Sequence, residues 1–70
     1  MHMETTVLKV NGMTCGGCVR SVKKVLEGIQ GVSSAVVSLE EAQATVTYDP
    51  AQVNVIRMKE AVTDAGYQVA

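Results

Sequence analysis

TTVLKVNGMTCGGCVRSVKKVLEGI, residues 5 to 29, changes its apolar period partway along, and that change decides the fold. From Thr5 to Val10 the period is two. Thr6, Leu8 and Val10 share one face while Val7 and Lys9 take the other, as in a strand buried on one side. Asn11-Gly12 breaks the alternation. From about Gly17 to Gly28 the apolar positions are Val22, Val25, Leu26 and Ile29, the three-and-four spacing of a helix buried along one stripe. Arg20, Lys23, Lys24 and Glu27 fill the other face, and Gly28 and Gly31 supply the stop.

Outward from this stretch the same two periods recur. Val32 to Leu39 alternates, with Ala35, Val37 and Leu39 aligned. Glu40 to Gln43 reads as a polar turn, and Ala44, Val46 and Tyr48 align on a returning strand that Asp49-Pro50 ends. Asn54 is a good N-cap for a second helix whose stripe is Val55, Met58, Ala61, Val62 and Ala65, closed by Gly66. Tyr67 to Val69 has room only for a short final strand. The order β-α-β-β-α-β, with short connections and right-handed crossovers, predicts an α+β domain. Its four-stranded antiparallel sheet carries both helices on one face. No linker, repeat or low-complexity stretch interrupts it, so residues 1–70 read as a single domain.

Seventy residues allow one small core, and the 47% apolar content supports a folded one. Its materials are mainly Val and Ala: there is no Trp, no Phe and only two Tyr. Stacking platforms for nucleic acid are therefore scarce, and a net charge of -1 argues against a phosphate-backbone binder. No apolar run approaches the roughly 18 residues of a membrane span, and the N-terminus lacks a basic stretch followed by an apolar core. The expected setting is the cytoplasm, without direct membrane insertion, unless the chain is a processed fragment.

Cys15 and Cys18, the two cysteines of the chain, flank Gly16-Gly17 at the mouth of the first helix. A disulfide between them would close a tiny loop and stabilise little. In a reducing compartment the pair reads as metal-binding or redox-active. Thiolates select soft or thiophilic ions such as Cu(I), Zn(II) and Hg(II). Gly16 and Gly17 remove bulk so that both sulfurs can converge on one ion. At the first helical turn, unpaired N–H groups and the helix dipole favour thiolate at Cys18. A closed zinc site needs four ligands, and two sulfurs plus His2 near the terminus do not supply them. Two-coordinate ions, Cu(I) or Hg(II), suit the pair better. Met1, His2 and Met3 read as an ordinary chain start rather than a second metal cluster. No general base, oriented nucleophile or phosphate loop points to an enzyme. A thioredoxin-like redox pair is the rival chemistry, although that fold surrounds its cysteines with aromatics and uses a different strand order.

The run Gly12-Met13-Thr14-Cys15-Gly16-Gly17-Cys18, the helix that follows, the turn from Gly28 to Val32 and the segment Ala65-Gly66-Tyr67 together resemble the heavy-metal-associated domain family. That family includes bacterial copper chaperones, metal-binding domains of copper-transporting P-type ATPases and mercuric-ion-binding proteins. The resemblance implies a ferredoxin-like fold, in agreement with the element order. It implies Cys15 and Cys18 as ligands, Met13 packed beneath the loop rather than ligating, and Tyr67 approaching the loop. Thr14 stands where zinc-preferring relatives often carry an Asp, so the resemblance favours Cu(I) over Zn(II) and leaves Hg(II) open. The implied partner is the metal-binding domain of a copper-transporting P-type ATPase, with Arg20, Lys23 and Lys24 as a docking face for an acidic surface. The chain is expected to be monomeric without metal, and a shared ion could bridge two copies. A free chaperone and a domain of a larger ATPase carry the same motif and are both compatible with it.

Overall fold

The structure, a computed structural model, describes residues 2–13 and 16–69. Its elements follow the predicted order: β1 (Glu4–Asn11), α1 (Gly16–Glu27), β2 (Val32–Ser38), β3 (Gln43–Tyr48), α2 (Val55–Asp64) and β4 (Gln68–Val69). Among the described residues the strands form one antiparallel sheet in the order β2-β3-β1-β4. The two strands that follow helices, β2 and β4, therefore end on opposite edges, which is the ferredoxin-like arrangement.

Alternation fixes which face each strand buries. Leu8 and Val10 of β1, Ala35 of β2, and Ala44, Val46 and Tyr48 of β3 all point into the core. Val22 and Leu26 of α1 and Met58 and Val62 of α2 join them in the same cluster. Both helices thus lie on one face of the sheet. Each fully buried Leu, Val or Met side chain stabilises the fold by about 1.5–3 kcal/mol relative to leaving it in water. The opposite face carries Thr5, Val7, Thr45, Thr47 and Val36, none of them buried.

The connection from α1 to β2 and the approach to α2 are locked together. Gly31 takes φ +103, and a Cβ there would come within 2.7 Å of the Gln52 Cβ and 3.1 Å of a Val53 methyl. Glycine is required by both the left-handed backbone and the close approach. The Gly31 carbonyl accepts the Asp49 N–H at 2.7 Å, and the Asp49 carbonyl accepts the N–H groups of Gln52 and Val53 at 3.0 and 3.1 Å. One residue beyond Val53, the Asn54 side chain accepts the Arg57 N–H at 2.8 Å and caps α2 as predicted.

Three expectations need correction. Leu39 is not the last inward residue of β2: the strand ends at Ser38, and Leu39 sits in the turn with 42% of its surface exposed. The reversal tightens there because Ala42, at φ +52, donates its N–H to the Leu39 carbonyl at 3.3 Å. Gln43, assigned to the turn, instead opens β3, opposite Lys9 on one side and Ser38 on the other. Ala65 is exposed rather than part of the buried stripe, because α2 ends at Asp64 and Ala65 is its C-cap. Tyr48 lies in the core as expected, but its hydroxyl reaches the sheet margin and donates to a Glu4 carboxylate oxygen at 3.3 Å. Burial, with the Glu4 carboxylate beside it, pushes the Tyr48 phenol above its ordinary value of 10.0.

Candidate metal site

β1 and α1 converge on the loop that holds the cysteine motif. β1 ends at Asn11, and Gly12 turns the chain with φ +95. The pairs Val10↔Val69 and Asn11↔Gln68 bring β4 alongside, so the residue before β4 falls opposite Gly12. That residue is Tyr67, whose ring edge would lie 3.8 Å from a Cβ placed on Gly12. Gly12 reads in the sequence only as a strand breaker. Its place beside the Tyr67 ring depends on the β1–β4 register and has no local signal, and it is the positive φ that calls for glycine there.

Met13 is half-buried and packs against the core cluster. Gly16, Gly17 and Cys18 open α1. Their N–H groups belong to the first helical turn, where no acceptor lies four residues back within the helix. That turn carries no acidic side chain, so nothing on the helix itself offsets the positive end of its dipole. Cys18 is half-buried and one turn ahead of Val22, which is fully buried. The core therefore fixes the face of α1 from which this sulfur projects. Gly16 meets open space: a Cβ there would have no heavy atom within 4 Å among the described residues. Thr14 and Cys15, the other two predicted residues of the loop, lie outside the described residues.

Other acidic, imidazole and thiol groups do not gather near the loop. Among the described residues, no three of His, Cys, Asp and Glu are placed to hold an ion together. His2 Nε2 lies 3.9 Å from a Glu4 carboxylate oxygen at the far end of β1. Eight residues of strand put that end about 25 Å from the loop. His2 and Met3 therefore cannot complete the cysteine site within one chain.

Arg20, Lys23 and Lys24 are all exposed on α1 and form no ion pair among the described residues. They do not all sit at the loop. Lys24 lies six residues beyond Cys18, about 9 Å along the helix axis. It lines a cleft of about 600 Å³ between the end of α1 and the start of α2, together with Val25, Val53, Asn54 and Arg57. The cleft is at the opposite end of α1 from Cys18 and has no part in the loop. No helix is long and apolar enough to cross a membrane, among the residues described.

The pattern of the heavy-metal-associated domain matches residues 7–68. The copper chaperone CopZ of Staphylococcus aureus (strain bovine RF122 / ET3-1) is 46% identical over 67 residues, spanning 96% of this chain and 98% of its own. Among solved structures, oxidised MerP from Ralstonia metallidurans CH34 superposes with a TM-score of 0.93 at 40% identity, covering 99% of this chain and 96% of its own. A copper-binding domain of a P-type ATPase superposes with a TM-score of 0.92 at 36% identity, covering 94% and 89%.

Proposed function

The chain belongs to the heavy-metal-associated domain family, and from that premise we propose that it is a carrier of Cu(I). Cys15 and Cys18 hold one ion and surrender it to the metal-binding domain of a copper-transporting P-type ATPase. The observation that carries this reading is the position of Cys18. It stands in the first turn of α1, anchored through Val22, with open space over Gly16 beside it. The similarity to a copper chaperone over nearly the full chain, and to a copper-binding domain of an ATPase, supports both the ion and the partner.

The chemistry follows from two sulfurs. Each thiol gives up its proton on binding, and the positive end of α1 favours the negative charge that results. An ion held by only two ligands leaves its remaining directions open to a third thiolate. A thiolate of the acceptor adds, one bond to Cys15 or Cys18 breaks, and a second exchange completes the transfer. Ligands are exchanged throughout, and no electron changes hands. Met13, packed against the core, supports the loop from below, and Tyr67 stands beside it against Gly12. Thr14 contributes no carboxylate, which disfavours Zn(II). Gly16 and Gly17 keep the approach to the sulfurs free of side chains. The chain acts as one binding unit without catalytic turnover, in a reducing compartment such as the cytoplasm that keeps both thiols available.

Anaerobic titration against a competing Cu(I) chelator tests the reading. The parent protein should bind one Cu(I) with an affinity that the joint substitution Cys15→Ser and Cys18→Ser abolishes. Retained Cu(I) affinity in that variant would overturn the assignment. Running Hg(II) and Zn(II) in the same competition format ranks the three ions directly.

A further inference from the structure

β2 is an edge strand, with no neighbour beyond it among the described residues. Its sequence, Val32-Ser33-Ser34-Ala35-Val36-Val37-Ser38, contains no charge and no proline, two of the devices by which edges refuse another strand. Uncharged, Val-rich edges of this kind recruit a further chain. The Ala35 N–H points away from β3, because it donates to a carboxylate oxygen of Glu27 at 3.4 Å. In an antiparallel ladder alternate residues share a direction, so the N–H and C=O of Val37 also face outward. Glu27 is the last residue of α1, and the helix thereby lays a negative charge on the middle of the edge, beyond the register shift between Val32 and Ser34 that breaks its start.

We infer that Glu27 guards the β2 edge against pairing with a second copy of this chain. Self-pairing is the addition this strand fits best. In a two-fold antiparallel pair centred on Val36, Ala35 of each copy stands opposite Val37 of the other, and the outward groups of both strands are satisfied mutually. Val36, 67% exposed on the open face of the sheet, then meets its own counterpart at the closest cross-strand spacing. No like charges on β2 oppose this. Glu27 does: it already holds the Ala35 N–H, and its carboxylate stands where the Val37 carbonyl oxygen of the second copy would have to go. Pairing would bring two acceptors face to face and strip a charge of water without giving it a partner. The surface is distinct from the cysteine loop and independent of any ion.

The test uses the metal-free protein carrying Cys15→Ser and Cys18→Ser, so that no ion can bridge two copies. Sedimentation velocity over a wide concentration series should find that protein monomeric and its Glu27→Ala derivative in a concentration-dependent dimer. Adding Val36→Lys should return the derivative to monomer, since two like charges would then meet across the two-fold axis. A second readout holds even if Glu27→Ala associates weakly. In dilute, folded protein the Ala35 amide should exchange its hydrogen about tenfold faster in Glu27→Ala than in the parent. Glu27→Gln, which keeps an acceptor oxygen, should fall between them. A Glu27→Ala protein that stays monomeric throughout, a dimer that survives Val36→Lys, or unchanged Ala35 exchange would each overturn the inference.

Discussion

Gly31 carries two constraints at one backbone position. Its φ of +103 lies where side-chain-bearing residues are strained, and its missing Cβ leaves space that the Gln52 and Val53 side chains fill. A single methyl group would violate both at once. Gly31→Ala should therefore destabilise the protein by about 1–3 kcal/mol, read as a lower urea midpoint with unchanged slope. An unaltered midpoint would mean that the turn can relax without loss. The cysteines contrast with this residue. Their spacing narrows the pair to metal-binding or redox chemistry in the sequence alone, whereas the need for glycine at position 31 arises from residues more than twenty positions later. Cys18 is legible because its chemistry is local, and Gly31 is only partly so because its constraint comes from across the fold.

At the scale of elements, one row ties the margin of the sheet: Glu4 of β1 and Val32 of β2 both stand opposite Tyr48 of β3. The Tyr48 phenol is raised by burial and by the Glu4 carboxylate, so the folded chain keeps its proton to higher pH than the unfolded chain does. The unfolded state then binds fewer protons above the ordinary tyrosine value, and stability must fall as pH rises through that region. This contribution is fully present below pH 10.0 and is lost as pH climbs through the raised value. Chemical denaturation should register a steeper alkaline loss in the parent than in Tyr48→Phe; parallel curves would remove the effect.

The strands and helices themselves were readable because Ala44, Val46 and Tyr48, or Val22 and Leu26, repeat a period that only one secondary structure buries. Their ends were less so. Leu39 keeps phase with Ala35 and Val37 yet belongs to the turn, since periodicity does not record where the chain reverses. The Glu27 bond to Ala35 is invisible for a related reason: it links the end of one element to the middle of another.

For the molecule as a whole, the proposed function gives the cations of α1 a part in the encounter with the acceptor. Arg20, Lys23 and Lys24 are exposed, and the first turn of the helix adds no acid to cancel them. An acidic acceptor would be drawn to this side by long-range attraction, which acts on association rate more than on final affinity. Lys23→Glu with Lys24→Glu should slow Cu(I) transfer to the ATPase domain and flatten its dependence on salt, measured by stopped-flow exchange between the two proteins. Transfer rates equal to the parent's would remove these residues from docking. The architecture also divides the molecule mechanically. At one end Gly31, Asp49, Val53 and Asn54 interlock the exit of one helix with the start of the other. At the opposite end β4 is held to β1 by two residue pairs. Opening so short a ladder disturbs far less than opening the β1–β3 pairing. Tyr67, leading into that short strand, lies against Gly12 where β1 runs into the cysteine loop. The proposed handover, in which the loop must accommodate a second protein, would take place at the end of the sheet whose outer strand is held by the shorter ladder.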